Sequence, residues 1–351
     1  MNTPIDKSEF IQFSQNPEYV IIDVRSEGEF QSGYLPTAIN LPLLNNEQRH
    51  IVGITYKEQG QQAAVKKGFE LVGNLFHEKL NLAKQYADNK RIVVYCWRGG
   101  MRSEIMRWVM DLGGLDVRII AGGYNAVRKQ FHSSFSRKYQ FLKLTGPTAC
   151  GKTDLLHALK EKNECVIDLE QLAHHKGSAF GGLGQPAQPT QEQFENNLAY
   201  QLSQIPNECS VWIENESRMI GTMRIPDAIF NQIQEAPSIE LTRTQALRIQ
   251  DVIHQYREFP ITQLLEKTIS VQKRMGPEQN KKAILSLVDG DWENWVKLLL
   301  EYYDKTYLFH DEKLNNEKRI AIVDSDDVAH IKSKVSEIIE LKEQWQKKHI
   351  N

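Results

Sequence analysis

Phe141-Leu142-Lys143-Leu144-Thr145-Gly146-Pro147-Thr148-Ala149-Cys150-Gly151-Lys152-Thr153 runs an apolar segment straight into a complete G-x-x-x-x-G-K-[ST] loop. Phe141 to Thr145 reads as a strand, and Asp154 to Lys160 beyond the loop has helical spacing. In that context the backbone amides at a helix N-terminus can enclose a di- or triphosphate. Gly146, Thr148 and Gly151 are therefore assigned to the phosphate backbone, Lys152 to its charge, and Thr153 to a Mg²⁺ ion. A chance match is the alternative, and the flanking strand and helix argue against it. Cys150 reads as an incidental small side chain.

Toward the C-terminus, strand-like runs follow at Cys165 to Leu169, Ser210 to Ile213, Ile239 to Thr242 and Arg319 to Val323. Val211-Trp212-Ile213-Glu214 ends one of them in an acid, so Glu214 and Glu216 are candidates for metal or acid–base chemistry. The absence of an N-K-x-D segment disfavours a GTPase. His174 to Gly182, with Lys176 in it, is basic and Gly-rich; it suits a loop that contacts phosphate, against an ordinary solvated loop. Its two histidines lack a third ligand nearby, so no metal is assigned to them. From Thr244 to Tyr307 helical spacing persists with no β-rich run, implying a helical insertion over about 244–316. Trp292, Trp295, Tyr302 and Tyr303 fall on one face there, which favours core packing over stacking on RNA. Asp327 to Lys348 reads as an amphipathic helix.

Toward the N-terminus, Tyr19 to Val24, Arg91 to Tyr95 and Val117 to Ile120 read as strands, with helical patterns at Glu70 to Tyr86 and Ser103 to Leu112. This alternation predicts a parallel α/β sheet. A polar, basic stretch, Arg128 to Lys138, marks the boundary, giving domains of 1–135 and 139–351. Tyr95-Cys96-Trp97-Arg98-Gly99-Gly100-Met101-Arg102-Ser103 sits between a strand and a helix. A cysteine at that strand end faces amides and a helix N-terminus, which favour its thiolate. Arg98 and Arg102 add positive charge, and Gly99 and Gly100 allow the chain to wrap around an anion. The alternative is an inert buried cysteine.

Ile22-Asp23-Val24-Arg25, Glu29-Phe30, Gly33-Tyr34-Leu35-Pro36 and Ala38-Ile39-Asn40-Leu41-Pro42 resemble the signature of rhodanese domains. Cys96 falls where that family has its persulfide-forming nucleophile. Five residues separate Cys96 from Arg102, one more than in common single-domain rhodaneses. That wider loop is similar to one in cell-cycle phosphatases, so dephosphorylation stays open, although Tyr95 replaces the histidine those enzymes place before the cysteine. Taken with Gly122-Gly123-Tyr124, the segment Gly53 to Gly60, the phosphate loop and Glu214-Asn215-Glu216-Ser217-Arg218, the whole chain resembles the tRNA 2-selenouridine synthase family.

This resemblance implies an α/β fold: a rhodanese-like parallel-sheet domain, then a P-loop α/β domain with the helical insertion. It implies exchange of the 2-thio sulfur of a wobble uridine for selenium. Geranyl diphosphate and selenophosphate would be co-substrates, with an S-geranyl intermediate, and Mg²⁺ is a candidate cofactor. Cys96 would carry selenium as an S-selanylcysteine, with Arg98 and Arg102 neutralising phosphate. The competing readings are an ATP-dependent tRNA sulfurtransferase using a Cys96 persulfide, and a kinase-like NTPase whose first domain only binds. Implied partners are the anticodon region of tRNA and an enzyme supplying selenophosphate.

Composition bounds these readings. With 351 residues, 40% hydrophobic and 25% charged, the chain is of folded, globular type and long enough for two cores. Its net charge of -2 lacks a global basic excess, but residues 1–135 hold 16 basic against 14 acidic groups. RNA contact is therefore expected from a localised surface, with Lys57, Arg128, Lys129 and Lys176 as candidates, beside Arg49, Lys66, Lys67, Arg137 and Lys138. Solvated surface charge is the alternative at each position. Four scattered cysteines without a C-x-x-C pair argue against a disulfide framework or zinc site, and a cytoplasmic location is expected. No run approaches membrane-spanning length, so no membrane contact is expected.

Overall fold

A computed structural model describes residues 4–311, 318–326 and 331–349. Residues 312–316 of the expected insertion and 327–330 of the expected final helix lie outside them. The chain forms two compact units: Met1–Arg137 with Thr190–Gln204, and Lys138–Pro189 with Ile205–Asn351.

In the first unit, β1 (Tyr19–Asp23), β2 (Ile39–Asn40), β3 (Arg91–Tyr95) and β4 (Val117–Ile119) form a parallel sheet of order β2-β1-β3-β4. Ile22, Val24, Ile92 and Val94 pack beneath Met106 and Met110 of the helix Met101–Leu112. Each such side chain contributes about 1.5–3 kcal/mol when removed from water. The register pairs Asp23 with Tyr95, so the residues after both strands open at one sheet edge.

The Gly53 to Gly60 segment lies in a long helix, Asn46–Val72, that breaks at Gly60, where φ is 85°. Most of the basic stretch from Arg128 onward is no linker, because the helix Gly123–Ser134 runs through it. The helix Gln191–Ser203, which lies in sequence within the second domain, belongs to the first unit. It buries Leu198, Ala199 and Leu202. Polar bonds fix it: Tyr124 Oη donates to Glu192 Oε1 at 2.5 Å, and Asn196 Nδ2 donates to the Tyr34 carbonyl at 2.9 Å. No local pattern announces this, because an amphipathic helix encodes a buried face but not which sheet covers it.

In the second unit, β5 (Gln140–Thr145), β6 (Cys165–Ile167), β7 (Ser210–Glu214), β10 (Ser238–Thr242) and β11 (Arg319–Asp324) form a parallel sheet of order β11-β10-β5-β7-β6. A small antiparallel hairpin, β8 (Met219–Ile220) with β9 (Met223–Arg224), interrupts the chain between β7 and β10. Leu142, Leu144, Trp212 and Leu241 pack with Leu155 and Leu159 of the helix Lys152–Glu161. After β10 come the helices Gln245–Tyr256, Ile261–Ser270, Gln272–Met275, Pro277–Val288 and Trp292–Asp311, with no strand among them, as the periodicity predicts.

This helical part has its own core, and the aromatic face sits in it. Trp295 is fully buried, with its indole N–H donating to Thr268 Oγ1 at 3.1 Å. Tyr303 Oη accepts from the Ala179 amide at 3.2 Å. These rings are packing elements rather than an exposed RNA platform. Cys165 and Cys209 are joined by a disulfide, a pairing the scattered spacing does not suggest; parallel pairing of β6 with β7 brings the two strand starts together. No helix among the described residues is long and apolar enough to cross a membrane.

Candidate functional sites: a cysteine loop and a phosphate loop

Cys96 directly follows β3, and the helix Met101–Leu112 begins five residues later. Gly99 and Gly123 hold the turn together at φ of 65° and 59°. A Cβ on Gly123 would stand 2.3 Å from the Cys96 carbonyl oxygen and 2.4 Å from the Gly99 nitrogen, so only glycine fits. The Tyr124 amide donates to the Cys96 carbonyl at 2.9 Å, and the Asn125 amide to that of Trp97 at 3.0 Å.

The sulfur itself is nearly enclosed, at 4% residue exposure. Ser103 Oγ donates to it at 3.1 Å. Burial pushes the thiol pKa up. Hydrogen bonds from the Ser103 hydroxyl and from the Arg98 and Ser103 amides, with the charge of Arg102, outweigh it, so the net direction is down. The loop thus favours a thiolate, the nucleophilic form.

Expected loop arginines behave differently from one another. Arg98 is exposed and makes no ion pair among the described residues. Arg102 is not waiting for an anion: its guanidinium bonds Glu29 at 2.7 and 3.3 Å, and Glu29 also meets Arg49 at 3.0 Å. The link of Glu29 to the loop is tertiary, joining residues 73 apart in sequence. Beneath the loop, buried Arg25 pairs with Asp23 at 2.7 Å and lies 3.9 Å from the Tyr124 ring centroid.

The phosphate loop follows β5, the middle strand of its sheet. Gly146, Thr148, Gly151, Lys152 and Thr153 all line one cavity of about 830 Å³. The helix Lys152–Glu161 begins at the loop's end, aiming its N-terminus into the cavity. Lys152 Nζ donates to the carbonyls of Gly146 and Pro147 at 2.9 and 3.3 Å. Burial would lower its pKa, but Cys150, Glu214, Glu216 and Glu170 together raise it, so the ammonium is held. Arg248, outside every motif, donates to the Thr148 carbonyl at 2.8 Å and grips Asp304 at 2.6 and 2.9 Å. It clamps the loop to the helical part.

Glu214 and Glu216 both line this cavity, and the structure adds Glu170 beside them. Thr153 Oγ1 donates to Glu214 Oε1 at 2.8 Å. All three carboxyls are pushed up: burial is the largest cause at each, and at Glu170 and Glu214 neighbouring carboxylates add to it. Glu170 follows β6 as Glu214 ends β7; acids after neighbouring parallel strands are the signal that reveals it. Apolar and aromatic side chains line it as well, among them Val252, Tyr256, Trp295, Leu299, Tyr302 and Tyr303, beside the polar Asp251, His254 and Gln255.

Among the proposed RNA contacts, Lys57 and Lys129 are exposed, and exposed Lys176 lines the cavity. Arg128 is otherwise engaged: it bonds Asn196 Oδ1 and Glu195 Oε2, each at 2.7 Å, holding the helix Gln191–Ser203 in place.

Strand-borne cysteine loop and phosphate loop, each on its own parallel sheet, define a chain built from a rhodanese-like domain and a P-loop domain. Residues 6–130 match the family model described as rhodanese-like domain. Residues 139–290 match the one described as tRNA 2-selenouridine synthase AAA domain. Proteins named tRNA 2-selenouridine synthase resemble the chain along most of its length. That of Shewanella frigidimarina is 33% identical over 84% of this chain and 88% of its own. That of Pseudomonas fluorescens is 32% identical over 88% and 93%. The one from Nitrosomonas europaea is 41% identical, over 67% of this chain and 63% of its own length. The chain belongs to the tRNA 2-selenouridine synthase family.

Proposed function

We propose that this protein replaces the 2-thio sulfur of a wobble uridine in tRNA by selenium, in two steps that use the two loops in turn. The observation that carries this reading is the make-up of the 830 Å³ cavity, which is lined both by a phosphate loop and by apolar and aromatic side chains. A prenyl diphosphate needs both. In the first step the thiocarbonyl sulfur attacks C1 of geranyl diphosphate; the C–O bond breaks and diphosphate leaves. Lys152 and the loop amides take up the charge that develops on the departing oxygen. Thr153 and Glu214 fit a Mg²⁺ ion, since Glu214 keeps one oxygen buried without a donor; when bound, the ion would supply further charge neutralisation.

Alkylation turns a poor leaving group into a good one. In the second step selenide released from selenophosphate attacks C2 of the base; the C–Se bond forms, the C–S bond breaks, and the geranylthiolate departs with a proton. Cys96 is proposed to release that selenium: its thiolate, facing Ser103 and the loop amides, attacks phosphorus of selenophosphate, the P–Se bond breaks to give hydrogen selenide, and water then hydrolyses the S-phosphocysteine to phosphate. Exposed Arg98, which makes no ion pair among the described residues, is the proposed cation for the phosphate group, and Arg102 acts by fixing Glu29 and the helix start. Lys57, Lys129 and Lys176 remain proposed tRNA contacts, and the cytoplasm the proposed location.

The test is mass spectrometry of nucleosides from thiolated tRNA incubated with the protein, geranyl diphosphate and selenophosphate. Cys96→Ala should accumulate S-geranyl-2-thiouridine, and Lys152→Ala should form neither product. Thiolation of unmodified uridine on addition of ATP, with neither S-geranyl nor seleno product, would instead establish the sulfurtransferase.

A further inference from the structure

Glu170, Glu214 and Glu216 each place one carboxylate oxygen in a group whose members all lie within 4.8 Å of one another. Glu214 ends β7, Glu216 follows it, and Glu170 arrives from the helix Leu169–Ala173 after β6. Glu214 is 1% exposed; its Oε1 is bonded to Thr153, while its Oε2 is buried and meets no donor. An ionised oxygen in that position is strongly disfavoured unless a cation meets it. Lys152 does not do so, since its Nζ donates to two loop carbonyls and forms no ion pair with these acids among the described residues. Neighbouring Asp168 is engaged elsewhere, capping Gln171 and meeting His157 at 3.1 Å.

With the Lys152 ammonium taken up by loop carbonyls, the unmet Glu214 Oε2 and the oxygens of Glu170 and Glu216 gathered near it form a donor set for one cation. Oxygen-only donors select hard ions of the Mg²⁺, Mn²⁺ and Ca²⁺ class. We propose that Glu170, Glu214 and Glu216, with the Thr153 hydroxyl, form a divalent-cation site that fills in the free protein, before any phosphate ligand arrives. In an ordinary phosphate loop the phosphates themselves supply much of the coordination. Here Glu170 is a ligand that makes the site self-sufficient, so the cation waits where the diphosphate will bind. Only the cation's later role rests on the reading above; its binding does not.

The experiment is titration of the full chain with Mn²⁺, without tRNA or phosphate, following the free-ion electron paramagnetic resonance signal. One Mn²⁺ per chain is expected, displaced by Mg²⁺, with Glu170→Gln weakening it by about tenfold or more. Melting separates a lost ligand from a damaged fold: Mn²⁺ should raise the Tm of the wild type and not of Glu170→Gln. In chelator the two should melt alike, because Gln keeps the size of the half-buried Glu170 side chain. No binding to the free chain, binding only once inorganic pyrophosphate is added, unchanged affinity in Glu170→Gln, or a lower Tm of that variant in chelator would each overturn the proposal. A chain that fails to modify tRNA yet binds Mn²⁺ this way would overturn only the preceding reading.

Discussion

Ser103 Oγ lies 3.1 Å from Cys96 Sγ, and the same hydroxyl reaches the Gly100 carbonyl at 2.9 Å. A serine in the first turn of a helix thereby reaches the cysteine at the end of the preceding strand. Burial by itself raises the pKa of this thiol; donors converging on the sulfur bring it below its ordinary value. Ser103→Ala should raise the Cys96 pKa. Its rate of alkylation by iodoacetamide near neutral pH should fall roughly tenfold, the worth of one hydrogen bond to a charged group. An unchanged pH profile of alkylation would show that the amides suffice.

Gly123 carries the loop from the far side. A methyl there meets the Cys96 carbonyl and the Gly99 nitrogen at once, and the φ of 59° is itself unfavourable for alanine. Gly123→Ala should lower stability by more than about 2 kcal/mol in urea denaturation and abolish selenation. Gly53, where φ is not positive and a Cβ would meet nothing within 4 Å, provides the control: alanine there should leave selenation intact.

The Glu29–Arg102 pair gives a pH signature. Burial works to raise the Glu29 pKa, but hydrogen bonding and charge from Arg102, aided by the Ser26 amide and Arg49, bring it below its ordinary value. A carboxyl with a depressed folded pKa contributes stability above its unfolded value, and that contribution disappears as pH falls through the folded one. Wild type and Glu29→Gln should therefore differ by ~1 kcal/mol at pH 7, and their urea midpoints should converge in acid.

Arg248 ties two distant segments to the phosphate loop, through the Thr148 carbonyl and Asp304. Its side chain is 5% exposed, so truncation strands Asp304 as well as freeing the loop. Arg248→Met should cost about 3 kcal/mol in stability. It should also raise KM for geranyl diphosphate while the thiolate titration of Cys96 stays unchanged; equal loss at both sites would mean general unfolding.

What was legible in the sequence lies in contiguous runs. Phosphate loop and cysteine loop are each a strand, a glycine-bearing turn and a helix start, so local conformation alone dictates where their amides and side chains point. The helical insertion and its aromatic face were legible for the same reason: period 3.6 is a local property. Placing Glu170 beside Glu214, Ser103 beside Cys96, Arg102 on Glu29 and the helix Gln191–Ser203 on the first unit needed the tertiary structure. Spacing records which face of an element is buried and is silent on what buries it. Strand order decides that: β7 between β5 and β6 is what brings carboxylates from separate strand ends to one phosphate loop.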